Sequence, residues 1–252
     1  MTEDRVNKLK YIIKSLGIES ARLIEEKIDL QYHYLKNLKE RLNNQALFLK
    51  LIILNALVSY QLSTTGENWW REFSEYPWEN ISGDVVEEYI KFLSNSKGNR
   101  RYLDKKIKRI NKLKYFLSTR SLEDFKNYYN NMEALRKALA KVLNTKGHSK
   151  TVVFAVKIFG YGARMSFNRF IPYPYSIEIP RDSRIEKYTA KFTRGDVLKF
   201  WSEVARDSGV PPLHIDSILW PALGDWERVK KPLKALSEDV YKKVKMLIEL
   251  AK

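Results

Sequence analysis

Apolar residues recur every three or four positions along most of the chain, the spacing of helices that bury one face. Val6, Leu9, Ile13 and Leu16 form one stripe, closed by Gly17, and Leu23, Ile24 and Ile28 form the next. The most apolar run, Ala46 to Tyr60, carries only Lys50 and Asn55 as interruptions and predicts a buried core helix over 45–62. A turn at Ser63-Thr-Thr-Gly66 follows it. Val85, Val86, Tyr89, Phe92 and Leu93 mark an amphipathic helix that stops at Asn95-Ser-Lys-Gly98, and Ile107, Ile110, Leu113 and Leu117 continue the spacing. Ser121-Leu-Glu-Asp124 and Thr193-Arg-Gly-Asp196 read as capping boxes, and Ser237 before Glu238 and Asp239 as a third helix start. No run of alternating strands with hairpin turns interrupts this pattern. Ser176-Ile-Glu-Ile179 alternates, but Pro172, Pro174 and Pro180 make it an extended connection. The expectation is an all-α protein whose proline-rich stretch joins two helical lobes, approximately 45–170 and 1–44 plus 171–252, within one unit.

Composition narrows the class. At 252 residues the chain can bury roughly 70–75% of the surface its unfolded form exposes. Forty-six Lys and Arg against thirty Asp and Glu give +16, which favours a polyanionic partner, although a lysine-rich solubilising surface gives the same balance. With no cysteine, disulfides, thiolate zinc sites, cysteine-ligated clusters and cysteine nucleophiles are excluded. Three scattered histidines, His33, His148 and His214, argue against a histidine-built metal site. The apolar run is shorter than the roughly 20 residues of a membrane span, and the first residues carry no secretion signal pattern. A soluble cytoplasmic protein without cofactor is expected.

Three features carry candidate chemistry. Eight cations lie between Arg100 and Lys114, a run that suits phosphates but equally suits a solvated helix face. The break Lys146-Gly-His-Ser149 precedes the helical pattern that Lys150 opens, and backbone N–H groups at such a helix start suit a phosphate oxygen. Thirty-two positions after Lys150, Asp182 begins another helical pattern beyond the prolines. A lysine and an acid at two helix starts of a basic protein suggest amine chemistry on DNA. Each also has a plain reading, an exposed first-turn lysine and a helix N-cap.

The sequence resembles the archaeal GO glycosylases, a branch of the helix–hairpin–helix DNA glycosylases. The matching blocks are Leu30-Gln-Tyr32, Leu54-Asn-Ala-Leu-Val-Ser-Tyr60 with Gly66-Glu-Asn-Trp-Trp70, Lys150-Thr-Val-Val-Phe154, Ile179-Pro-Arg-Asp182 with Arg184, and Pro211-Pro-Leu-His-Ile-Asp216 with Leu219-Trp220. They span most of the chain in order. The hairpin departs from the superfamily's Gly-hydrophobic-Gly, with Lys146-Gly-His-Ser149 in its place.

The resemblance implies an all-helical, two-lobed enzyme with its active site in the cleft between the lobes. Such an enzyme removes 8-oxoguanine from DNA and can then cleave the strand; neither step needs a metal or cofactor, and a monomer is the default expectation for an enzyme that encircles and bends DNA. It assigns Lys150 as nucleophile and Asp182 as acidic partner. It implies Gln31, Trp70, Phe154, Asp216 and Trp220 as the base pocket, and Lys146, Gly147, His148, Ser149 and Arg184 as DNA contacts. Placement at a helix start in a dry cleft should favour the neutral amine of Lys150. Phe154, one turn after Lys150, and Trp220, one turn after Asp216, are expected to sandwich a flipped base whose edge Gln31 and the Trp70 N–H read. Arg184 and His214 are candidates for phosphate contact or for supporting the two acids. The alternatives are a glycosylase for another damaged base, or a DNA-binding protein without catalysis.

Overall fold

The computed structural model describes residues 2–251, and all its regular elements are helices. In chain order they are α1 (Thr2–Lys27), α2 (Leu30–Arg41), α3 (Gln45–Leu57), α4 (Gly66–Glu75), a 3-10 turn at Trp78–Asn80, α5 (Val85–Asn95), α6 (Leu103–Asn111), α7 (Lys114–Ser118) and α8 (Leu122–Asn130). They continue with α9 (Met132–Leu143), α10 (Lys150–Phe167), α11 (Ser183–Thr189), α12 (Val197–Ser208), α13 (Pro212–Gly224), α14 (Trp226–Leu236) and α15 (Glu238–Glu249). None of the helices is long and apolar enough to cross a membrane.

The chain divides into two compact units, one from Leu30 to Ile171 and the other built from the residues up to Asp29 and from Pro172 onward. The division differs from the expected one over residues 30–44. Leu35 and Leu38 of α2 are fully buried, and α2 packs on α4, α10 and α3, so it belongs with the central helices.

In the 30–171 unit the most extensive helix pair is α3 against α10. Nine residues of α3, from Phe48 to Leu57, are buried, as its apolar sequence requires, and the helix ends at Leu57, before the expected Leu62. Buried Asn55 is satisfied in part by the Tyr89 hydroxyl, which donates to its Oδ1 at 2.8 Å. Gly162 lets α10 approach α3 closely, since a Cβ there would collide with Ile52 Cδ1. Beside this pair, α4 and the 3-10 turn pack on α5 through aromatic rings, with Trp69 stacked on Phe92 and Trp78 on Tyr89.

In the other unit, α1 packs on α13, α12 and α15. Gly17 breaks the course of α1 with φ 67° and ψ −179°, a conformation open to glycine, as the sequence suggested. Leu9, Ile13 and Leu16 are buried as expected, as are Ile24 and Ile28, whereas Leu23 is exposed. The capping box at Ser121–Asp124 is present, and Ser237 caps α15. At Thr193–Asp196 the cap is instead Asp196, which accepts from the Lys199 N–H at 2.8 Å, while Thr193 Oγ1 accepts from Gly195 N. Helix α12 therefore starts at Val197, beyond the reach of a cap from Thr193.

Candidate active site

The α9–α10 connection is built by a left-handed residue at Asn144 (φ 50°), then a turn in which the Ser149 N–H bonds to the Lys146 carbonyl at 3.0 Å. Ser149 occupies the N-cap position of α10 but makes no capping bond, and its Oγ has no hydrogen-bond partner. Lys146, His148 and Lys150 are exposed, and Gly147 and Ser149 half-buried. Among the described residues the Lys150 amine makes no hydrogen bond or ion pair. The expected dry environment is therefore not found at Lys150, because first-turn side chains project beyond the helix end into solvent.

Further along the same helix, Phe154 is half-buried, with its ring 6.2 Å from that of Trp70 at 68°. Trp70 itself is fully buried and also meets Phe73 edge-on at 5.5 Å. Its neighbour Trp69 points away, donating from Nε1 to Ser59 Oγ at 2.9 Å. Gln31 is buried at the start of α2. Lys150 and Phe154 thus share one face of α10, and Phe154 and Trp70 form an aromatic pair within the 30–171 unit.

In the other unit Asp182 caps α11 through Oδ1, which accepts from the Ile185 N–H at 2.9 Å. Its second oxygen, Oδ2, accepts from Trp220 Nε1 at 2.8 Å. Capping thus uses one oxygen only, and the indole fixes the rotation of the carboxylate about its bond to the chain. Four lone-pair sites on the two oxygens leave room for further donors. Trp220 is half-buried, and the Arg184 guanidinium lies 4.2 Å from its ring centroid. Asp216, one turn earlier on α13, is buried. Asp182, Arg184 and Trp220 are therefore brought together.

His214 does not face a phosphate. It is fully buried, with Nδ1 2.8 Å from Glu25 Oε1 and Nε2 accepting from the Tyr173 N–H at 3.3 Å. With Nε2 accepting from the backbone, Nδ1 is the ring nitrogen placed to donate to Glu25.

The basic run also departs from its expected solvated arrangement. Lys106 is fully buried, donates to Asn99 Oδ1 and lies 4.8 Å from the Tyr60 ring centroid. Burial, aided by the nearby Arg101 charge, lowers its pKa to about 8. Arg109 is half-buried and donates from Nη2 to Thr151 Oγ1 at 2.6 Å, bracing the residue next to Lys150. Sequence reasoning missed both. The signal was present, because Lys106 precedes Ile110, Leu113 and Leu117 by 4, 7 and 11 positions and so extends their buried stripe, a place given to Ile107.

The sequence profile of AGOG, an N-glycosylase/DNA lyase family, matches residues 10–252. An N-glycosylase/DNA lyase of Methanococcus maripaludis is 54% identical over 88% of this chain and 88% of its own length. One from Thermococcus kodakarensis is 49% identical over 94% of this chain and 90% of its own. The crystal structure of Pa-AGOG, an 8-oxoguanine DNA glycosylase from Pyrobaculum aerophilum complexed with 8-oxoguanosine, superposes with a TM-score of 0.80 at 25% identity, covering 96% of both chains. With a family match over nearly its full length and such relatives, the chain belongs to the AGOG family and is an N-glycosylase/DNA lyase.

Proposed function

We propose that the damaged base is 8-oxoguanine and that Lys150 is the nucleophile, with Asp182 as its acidic partner. The observation that carries this reading is the exposed, unpartnered Lys150 amine at the uncapped start of α10. Among the described residues other exposed lysines, Lys8 and Lys14 included, are also unpaired, so it is the place of Lys150 at the start of α10 in a chain of this family that gives its free amine weight. The 8-oxoguanine assignment is supported by the Pyrobaculum relative, whose substrate it is.

In this reading the neutral Lys150 amine forms a bond to C1′ as the C1′–N9 bond breaks. The base leaves with that electron pair and takes up a proton. Loss of the amine proton and opening of the C1′–O4′ bond give a Schiff base. Removal of a C2′ proton then expels the 3′ phosphate and cuts the strand. The Asp182 carboxylate offsets the positive charge that develops on the sugar ring, and its two fixed hydrogen bonds hold it ready without reorganisation.

Gln31, Trp70, Phe154, Asp216 and Trp220 are assigned to the base. Phe154 and Trp220 are half-buried aromatics, Trp220 with Arg184 over one ring face, and a glutamine side chain such as that of Gln31 carries both donor and acceptor. Discrimination against guanine requires an acceptor for the lesion's N7–H, because guanine would leave that buried acceptor unpaired. Lys146, Gly147, His148 and Ser149 present the α10 backbone to phosphate in a helix–hairpin–helix manner, with Arg184 as a further phosphate contact, and a monomer suffices.

Borohydride trapping on duplex DNA with one 8-oxoguanine tests the reading. Wild-type protein gives a covalent adduct and Lys150→Gln gives none. Wild-type protein that binds this DNA without forming an adduct would overturn it.

A further inference from the structure

The cations of the 100–114 run take no part in the chemistry above, and the structure sorts them. Lys106 and Arg109 turn inward, and Lys114 is held by Glu87 at 2.5 Å and Asp84 at 3.8 Å. Arg100, Arg101, Lys105, Lys108 and Lys112 are exposed, and among the described residues none of the five makes an ion pair. Asp104, the single acid of the run, sits one turn before Lys108 yet does not bridge to it.

The lysines of α15 behave differently. Lys242 meets Glu238 at 3.7 Å, Lys243 meets Asp239 at 2.7 Å and Lys245 meets Glu249 at 3.7 Å. Exposed lysines elsewhere, such as Lys8, Lys14 and Lys36, also stand without an ion pair among the described residues, so what sets α6 apart is that five such cations cluster between residues 100 and 112.

Two bonds place α6 beside the α9–α10 turn. Lys112 Nζ reaches the Leu143 carbonyl at 3.5 Å, and Arg109 reaches Thr151 at 2.6 Å. The unpaired charge of α6 therefore continues from the exposed Lys146, His148 and Lys150. Lys105, Lys108 and Lys112 fall on one helical face and span about 10 Å, a length that matches about three phosphates of one DNA strand. At the other end Tyr102 is exposed, with Lys105 Nζ 5.3 Å from its ring centroid.

We propose that α6 and the turn before it form a second phosphate-binding edge, on which Arg101, Lys105 and Lys108 hold the backbone of duplex DNA flanking the damaged nucleotide. The proposal rests on the glycosylase reading only for where the lesion lies; the edge itself binds undamaged duplex. Neutralising each phosphate contact removes about 0.9 from the slope of log K against log salt.

The test compares two triple variants with equal loss of charge on an undamaged 25-base-pair duplex, by fluorescence anisotropy across a salt series. Arg101→Gln with Lys105→Gln and Lys108→Gln is expected to flatten the slope by about 2 to 3. Lys242→Gln with Lys243→Gln and Lys245→Gln is expected to leave it unchanged, and so is Lys105→Arg with Lys108→Arg, which keeps the charge. Equal flattening in both glutamine triples, a bulk-charge effect, would overturn the proposal, as would no flattening in either. Borohydride trapping on 8-oxoguanine DNA at saturating enzyme separates the two readings. Wild type that traps while the α6 triple keeps its salt slope overturns only the α6 edge, and wild type that fails to trap while the α6 triple flattens overturns only the lysine reading.

Discussion

The starts of α10 and α11 carry the two residues assigned to chemistry, and they are built in opposite ways. At α10 the N-cap serine makes no cap and the following lysine is exposed and unpartnered. At α11 both oxygens of the N-cap aspartate are engaged, one by the backbone and one by an indole. A nucleophile has to travel to a bond that is not yet there, so it needs an unencumbered amine. A group that only stabilises charge gains from being fixed in place beforehand.

The largest expected effect comes from removing the free side of this contrast. Lys150→Gln should lower single-turnover release of 8-oxoguanine by at least about 10³-fold while duplex binding is retained. Asp182→Asn keeps an acceptor for the Ile185 N–H but places an NH2 group against the Trp220 N–H. Excision is expected to fall by about 10²-fold with the thermal midpoint nearly unchanged. Asp182→Ala should in addition lose about 1 kcal/mol of stability in urea unfolding, because the cap goes too.

Trp220→Phe keeps a ring and removes only the donor, and it is expected to slow excision by about tenfold. Combined with Asp182→Asn it should add little, since both changes break the same bond; full additivity would show that the indole acts elsewhere. The smallest effect tests the empty cap. Ser149→Ala is expected to change stability by less than about 0.5 kcal/mol, whereas Ser237→Ala, which removes a working cap, costs about 1 kcal/mol. A Ser149→Ala loss equal to that of Ser237→Ala would erase the contrast.

The helical periodicity was legible where buried faces are made of plain apolar stripes, as in α1 and α5. It misled where a charged residue sits on the buried face. Lys106 follows the geometry of Ile110 and Leu113, but its type sent it to solvent until Asn99 and Tyr60, 7 and 46 positions earlier, came into view. The same distance effect hid the His214–Glu25 pair, whose members lie 189 positions apart. Asp182 was recognisable as a cap from its place before α11. Its bond to Trp220 was not, since nothing in local spacing links residues 38 apart. The segment 30–44 was misplaced for a related reason, because an amphipathic helix shows that it has a buried face without showing what covers it.

Gly162 has a consequence for how this sequence can drift. A Cβ at position 162 would fall on the Ile52 Cδ1 atom of α3, so a larger residue there needs Ile52 to yield. Gly162→Ala forces extra methyl volume into a filled contact at a cost of about 1–3 kcal/mol, whereas the same change with Ile52→Ala would have room. A change at position 162 alone is therefore expected to give a weakened intermediate, which a smaller residue at position 52 would relieve. Since α10 also carries Lys150 at its far end, that intermediate would be read as an enzyme defect although nothing near the reacting amine had changed.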